Sequence, residues 1–205
     1  MKVTPPETDD ELFVRLRRGE ESAFVALYRR RQGAIYRFVL HMSRSPEVAE
    51  DVTQEVFVAL LRDACGYDPD RGTLSGYLFG IARKLLLRQI ERGRVDVPLE
   101  SDSEDAAIPE LAVAGNALED LTHREGIEAL RRAIGTLPRR YREVVVLCDL
   151  EEVDYADAAG VLGCPIGTVR SRLHRARALL LDKLLNHERH PRPPVSALNP
   201  IRCLT

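Results

Sequence analysis

The chain has no tryptophan and only three lysines, Lys2, Lys84 and Lys183, so nearly all of its positive charge is arginine. Arginine is the better residue for bidentate contacts to phosphates and base edges, although a GC-rich genome produces the same bias. Alternating β-branched runs are few, which argues against a sheet and for an all-helical fold. No stretch approaches the apolar length of a membrane span, and the opening MKVTPPETDD has no apolar core, so it does not read as a signal peptide. The four cysteines, Cys65, Cys148, Cys164 and Cys203, are widely spaced and form no CxxC pair, which suits a reduced, cytosolic chain. There is no Gly-rich phosphate loop, no nucleophile–base set and no cluster with metal-ligand spacing. An enzyme is therefore not expected, nor a cofactor or metal. His187, His190 and Cys203 in the Pro-rich tail fit no structural zinc spacing, and that tail is given no role. The net charge of −2 disfavours nucleic acid only as an average, because charge is unevenly distributed.

What is present is helical periodicity in blocks of contrasting charge. DELFVRLRRGEESAFVALYRRRQGAIYRFVLHM reads as two helices broken at Gly19, with Asp9 or Asp10 as the first cap. Leu12, Phe13 and Leu16 line one helix, and Phe24, Leu27, Tyr28, Ile35, Phe38 and Val39 the other. Arg15, Arg17, Arg18, Arg29, Arg30 and Arg31 point outward. Ser45-Pro46 then caps and opens a third helix. Its stripe is Val48, Val52, Val56 and Leu60, widened by Phe57 and Leu61. Its other face carries Glu47, Glu50, Asp51, Gln54 and Glu55, with no basic residue between Arg44 and Arg62. Such a face is either merely solvated or, since it would repel DNA, turned toward protein. Tyr67 to Gly72 is dense in turn formers. Thr73 or Ser75 caps a helix through Leu78, Ile81, Leu85 and Leu86 that becomes basic at Arg83, Lys84, Arg88 and Arg92. Aromatic residues beside a basic helix suit an unstacked single strand; equally, Tyr77 and Phe79 could be core, and Phe79 is read so.

Between Arg94 and Arg124 there is no Lys or Arg, while eight Asp and Glu accompany Pro98, Pro109 and Gly115. This composition marks a flexible acidic linker that divides the chain into two helical domains. In the second domain, Leu130, Ile134 and Leu137 mark a helix ending before Pro138, and Tyr141, Val144, Val145 and Leu147 mark the next. Asp154 to Leu181, DYADAAGVLGCPIGTVRSRLHRARALLL, reads as a helix-turn-helix: Tyr155 to Leu162, a turn at Gly163-Cys164-Pro165, then a long helix from Ile166. Ala158 and Ala159 permit a close crossing, and Val169, Leu173, Ala176 and Leu180 form the buried stripe. Arg170, Ser171, Arg172, His174, Arg175 and Arg177 occupy the remaining faces and suit a major groove, or else the wet side of a bundle. Gly160 weakens the first of these helices, since glycine costs about 1 kcal/mol against alanine.

GTVRSRLHRARALL resembles the promoter-reading helix of sigma-70 family sigma factors of the extracytoplasmic-function (ECF) type. Two further motifs resemble the same family: Ala49-Glu50-Asp51-Val52-Thr53-Gln54-Glu55-Val56-Phe57, and Leu137-Pro138-Arg139-Arg140-Tyr141-Arg142-Glu143-Val144. The resemblance implies residues 1–94 as the region 2 domain, 95–121 as linker, 122–186 as the region 4 domain and 187–205 as a tail. It implies that Glu50, Asp51, Gln54, Glu55 and Phe57 grip the β′ clamp helices of core RNA polymerase, with the β flap as a further contact. It implies that Tyr67, Asp68, Arg71, Tyr77, Arg83, Lys84 and Arg88 melt and hold the −10 strand of promoter DNA. It also implies that Arg170 to Arg177 read the −35 duplex, with Arg139, Arg140 and Arg142 as phosphate contacts, and that an anti-sigma factor regulates the chain and can hold it at a membrane. The family's linkers thread toward the polymerase active site. Five positions depart from the family pattern: Tyr77 where tryptophan is common, Lys84 for asparagine, Arg88 for aspartate, Ala158 for isoleucine and Gly160 for a charged residue. All of this points to a transcription initiation factor; the other reading is a helix-turn-helix regulator acting without polymerase.

Overall fold

The computed structural model describes residues 7–63, 66–93 and 123–189, with only the backbone path at 123–125 and 186–189. The acidic stretch read as a linker lies outside the described residues, as do Cys65, His190, Cys203 and the side chain of His187. Among the described residues there is no strand. Eight α-helices run in the order α1 (Asp9–Arg17), α2 (Glu21–Ser43), α3 (Pro46–Arg62), α4 (Leu74–Glu91), α5 (His123–Gly135), α6 (Arg139–Val145), α7 (Tyr155–Leu162) and α8 (Ile166–Arg189).

Local chemistry sets most of these boundaries. Thr8, not Asp9 or Asp10, caps α1, because it completes a reciprocal pair with Glu11: the Glu11 N–H donates to the Thr8 hydroxyl (3.3 Å) and the Thr8 N–H to the Glu11 carboxylate (2.7 Å). Asp9 is thereby free to pair with Arg30 (2.8 Å) and Arg31. Gly19, at φ +84°, separates α1 from α2. Ser45 caps α3 and Pro46 opens it, and Thr73 caps α4. The helix-turn-helix follows the sequence reading: Asp154 caps α7 by accepting from the Ala156 and Asp157 N–H groups, and Gly163 closes it at φ +66°.

Helices α1–α4 pack around Leu12, Leu27, Phe38, Leu60, Leu78 and Phe79, all with 1% exposure or less. Phe38 meets Phe79 edge-to-face at 5.5 Å, so Phe79 is core. In the second half, α6 and α7 pack on α8 through its buried stripe, Val169, Leu173, Ala176 and Leu180. Between α6 and α7 the chain winds into a π-helical segment, Val146–Leu150, and ends it with Glu152 at φ +55°. This wider turn places Asp149 toward Arg177 and Glu151 toward Arg37. Leu61, read as part of the α3 stripe, is instead 49% exposed. It falls on the outer face of α3 with Val58, while the adjacent Leu60 is fully buried.

The two halves do not stand apart. Helix α7 lies along α4, α2 touches α5, α6 and the π segment, and the buried side chains form one continuous core.

Gly160 sits in α7 with no positive φ, and a Cβ placed there meets nothing within 4 Å. The glycine is thus required neither by backbone conformation nor by close approach. Gly160→Ala should stabilise the chain by up to about 1 kcal/mol, read as a higher midpoint in thermal unfolding; an unchanged or lower midpoint would contradict this account of α7.

Candidate nucleic-acid and polymerase interfaces

On α8 the residues between the buried stripe divide by what they touch. Arg170, Ser171, His174 and Arg175 are exposed and Arg172 is half-buried. Arg170 lies over the Tyr155 ring at 5.9 Å, which aims it from α8 toward the start of α7. The Ser171 hydroxyl donates back to the Thr168 carbonyl (3.1 Å). Arg177 is held by Asp149 through two hydrogen bonds of 2.6 and 3.1 Å, so in this arrangement it ties α8 to the π segment. Near the start of α6, Arg139 pairs with Glu143 at 3.2 Å and Arg140 lies over Tyr141 at 4.9 Å. Arg142 is 7% exposed and donates to the Gly135 and Leu137 carbonyls at 2.9 and 2.8 Å. It satisfies carbonyls at the end of α5 and is a structural residue rather than a surface phosphate contact.

Of the candidate strand-binding residues, Tyr67, Asp68, Arg71, Tyr77 and Lys84 line a groove of about 450 Å³ beside α4, and Arg83 and Arg88 do not. Arg71, Lys84 and Arg88 are exposed, and Lys84 and Arg88, four residues apart, lie on one face of α4 with Arg92. Asp68 is exposed, and its carboxylate accepts from the Asp70 N–H (3.1 Å) to cap the short turn Pro69–Arg71. Tyr67 must be corrected: it is 5% exposed, packs edge-on to Phe13 at 5.0 Å, and its hydroxyl lies 2.7 Å from the Asp10 carboxylate. Burial and that carboxylate push its pKa well above the usual phenol range. It braces the loop and offers no face to a base here. Tyr77 is half-buried, 5.6 Å from Tyr67. Arg83 does not face the groove's open side; it bonds Glu143 at 3.2 and 3.5 Å.

On α3, Glu50, Asp51, Gln54 and Glu55 are exposed together. Phe57 is not with them. It is 2% exposed and stacks edge-on to Tyr28 at 4.8 Å, so it supports the face from beneath. Val58 and Leu61, 43% and 49% exposed, extend that face in its place. Residues 51, 54, 55, 58 and 61 recur at three and four, which makes one stripe that is acidic at one end and apolar at the other.

The arginines of α1 and α2 are partly explained within the protein: Arg15 pairs with Glu7 and Glu20, and Arg30 and Arg31 with Asp9. Cys148 is half-buried and its thiol is pushed up to about 11, chiefly by burial and then by Asp149, so it is a poor nucleophile or ligand. Among the described residues no helix is long and apolar enough to cross a membrane, and no cluster of His, Cys, Asp or Glu could hold a metal ion.

Three acidic residues were not singled out by sequence: Glu143, Glu151 and Asp157. Each reaches from the second half onto the first. Glu151 takes Arg37 in a bidentate pair at 2.6 and 2.8 Å, Glu143 takes Arg83, and Asp157 accepts from the Thr73 N–H (3.1 Å) and the Thr73 hydroxyl. Their partners are 60 to 114 residues distant, and no local pattern reports such a contact.

Two family models match the chain: sigma-70 region 2 over residues 27–95 and sigma-70 region 4 over residues 127–180. Among curated relatives, an ECF RNA polymerase sigma factor SigE of Mycolicibacterium smegmatis is 36% identical over 78% of this chain, and the match spans 61% of that longer protein. The RNA polymerase sigma-H factor of Pseudomonas aeruginosa is 32% identical over 87% of this chain and 94% of its own length, and the ECF RNA polymerase sigma-E factor of Escherichia coli K12 is 32% identical over 86% and 94%. Among solved structures, CnrH in complex with the cytosolic domain of CnrY superposes with a TM-score of 0.64 at 25% identity, covering 89% of this chain and 99% of that one. Sigma factor RpoE bound to the anti-sigma factor NepR, from Bartonella quintana, superposes with a TM-score of 0.56 at 28% identity, covering 75% and 91%.

The seam between the halves carries a titratable group. His41 on α2 is half-buried, and burial first, then the positive charges of Arg131, Arg142 and Arg37, hold its pKa below the ordinary 6.5. The unfolded chain therefore takes up a proton that the folded chain refuses. Stability is lost as pH falls through 6.5 toward the folded value. The melting midpoint should drop between about pH 7 and about pH 5.5, and His41→Gln should flatten that drop; an equal drop in the variant would show that His41 is not its source.

Proposed function

Because this chain belongs to the ECF type of the sigma-70 family of RNA polymerase sigma factors, we propose that it initiates transcription by joining core RNA polymerase through α3, holding the −10 strand along α4 and reading the −35 duplex with α8. The observation that carries this reading is the segregation of charge and exposure. The α3 face is acidic and apolar, with no cation before Arg62 at its end, which suits protein. The α4 and α8 faces present exposed cations, which suit nucleic acid. A regulator working without polymerase has no use for the α3 stripe. The chain forms or breaks no covalent bond; polymerase supplies the chemistry.

Within these elements the residues sort by availability. Arg170, Ser171, His174 and Arg175 are placed to meet base edges, and Arg172 to meet the flanking backbone. Arg139, Arg140 and Arg177, already engaged inside the protein, are placed for phosphates at the edge of the contact. Arg71, Tyr77, Lys84 and Arg88 line the strand path, with Tyr67 and Asp68 shaping its loop. Residues 1–94 and 122–186 are the working domains, with the segment between as their connector. Of the solved neighbours, CnrH is bound to a cytosolic domain and RpoE to an anti-sigma factor; a partner of the same kind is expected here. Work with polymerase on DNA places the chain in the bacterial cytoplasm, where such a partner could tether it to a membrane.

Run-off transcription from a promoter library, with core polymerase and with or without this protein, tests the reading. New start sites should appear only with the protein. Arg175→Ala should weaken use of those promoters by about 10- to 100-fold, the equivalent of one lost bidentate contact. Leu61→Asp should lower affinity for core polymerase with promoter sequence preference unchanged. Absence of new start sites, with specific binding of duplex DNA by the protein alone, would favour the regulator instead.

A further inference from the structure

Tyr155 is an exposed ring that the fold itself does not use. Asp154 caps α7, so Tyr155 stands in the first turn of that helix. It precedes Ala158 and Ala159 by three and four residues, which puts it on their side of α7. Those alanines are buried, whereas Tyr155 is 38% exposed and adds little to the core. What it meets instead is arginine. The Arg170 guanidinium of α8 lies over the ring, 5.9 Å from its centroid. Arg177, seven residues on and so on the same side of α8, is kept charged first by Asp149 and then by Tyr155, which is within electrostatic reach.

We propose that Tyr155 is a positioning residue for −35 reading: its ring sets the direction in which Arg170 leaves α8, so that this guanidinium enters the DNA groove already oriented. This rests on reading α8 as the −35 element.

The choice of a ring has a physical reason. An arginine side chain has many rotamers, and freezing them on binding weakens the contact that results. Elsewhere the protein freezes its arginines with carboxylates: Asp9 holds Arg30 and Arg31, Glu151 holds Arg37 and Asp149 holds Arg177. A carboxylate also cancels the charge it holds and repels the phosphates that the arginine would meet. Among the described residues no carboxylate pairs with Arg170. An aromatic face attracts a cation through its quadrupole and leaves the net charge intact. Tyr155 thus orients Arg170 without weakening the positive field of α8. The hydroxyl is dispensable for this, because Arg177 keeps its two hydrogen bonds to Asp149 in any case.

The test uses holoenzyme reconstituted from core RNA polymerase and the full-length chain. It transcribes a promoter library randomised over the −35 element, and sequencing the transcripts gives the base preference at each position. Wild type is compared with Tyr155→Phe, Tyr155→Leu, Arg170→Ala and the double variant Tyr155→Leu/Arg170→Ala, each checked by thermal unfolding. Tyr155→Leu should flatten the preference by about two- to fivefold, at the positions that Arg170→Ala flattens and at no others. Tyr155→Phe should match the wild type. The double variant should match Arg170→Ala, since without the guanidinium the ring has nothing to orient. A loss spread over every position, additive losses in the double variant, or a Tyr155→Phe as weak as Tyr155→Leu (the mark of a hydroxyl bonded to phosphate) would each overturn the proposal. NMR of the wild-type chain supplies a reading that needs no variant: the Arg170 side-chain protons should carry a ring-current shift, and its absence would also overturn the proposal. No −35 preference in the wild type would sink the functional reading and this role with it, whereas a wild-type preference that Tyr155→Leu leaves intact would sink this role alone.

Discussion

The packing of α7 along α4 is the contact on which the arrangement of the two halves depends. The buried side chains of the two halves, Phe38 and Phe79 in the first and Leu137, Leu147 and Leu173 in the second, belong to one continuous core. Beside that core runs a seam where three carboxylates, Glu143, Glu151 and Asp157, meet Arg83, Arg37 and the start of α4. Such pairs hold mainly through geometry, because charges taken out of water return little net energy unless every partner stays in place. A seam of this kind specifies one arrangement of the two halves.

The same logic separates residues that hold the protein together from residues left over to meet a partner. Arginine dominates the sequence, yet Arg15, Arg30, Arg31, Arg37, Arg83, Arg139 and Arg177 are engaged with carboxylates within the chain, and Arg142 with carbonyls. The cations turned outward on α8 and α4 form two limited patches, which accommodates nucleic-acid binding within a net charge of −2. The α3 stripe differs in kind: its acidic end is bare of cations, and its apolar end, Val58 and Leu61, is exposed. An exposed apolar strip bordered by charge is a common mark of a protein-binding surface.

Much of this could be read from sequence because it is local. The α7–turn–α8 boundaries follow from Asp154, Gly163 and Pro165, and the buried stripe of α8 from spacing alone. Ser45-Pro46 and Gly19 set their helix ends for the same reason. The errors arose where tertiary contacts decide. Thr8 displaced Asp9 and Asp10 as cap because Glu11 reaches back to it and Arg30 and Arg31 draw Asp9 away. Phe57 and Tyr67 belong to motifs that resemble binding elements, but rings of that size are drawn into the nearest core, here against Tyr28 and Phe13. Leu61 keeps the spacing of the α3 stripe but falls at its outer edge, on the exposed face with Val58. Asp157 looked like an ordinary acid in the first turn of a helix, which it also is; its second role depends on Thr73, 84 residues earlier.

Hydrogen exchange of the full-length chain, alone and bound to core RNA polymerase, tests the account most directly. Binding should slow exchange along α3, where the face of Asp51, Gln54, Glu55 and Leu61 is covered. Unchanged exchange along α3 in a complex that demonstrably forms would contradict the assignment of that face to polymerase.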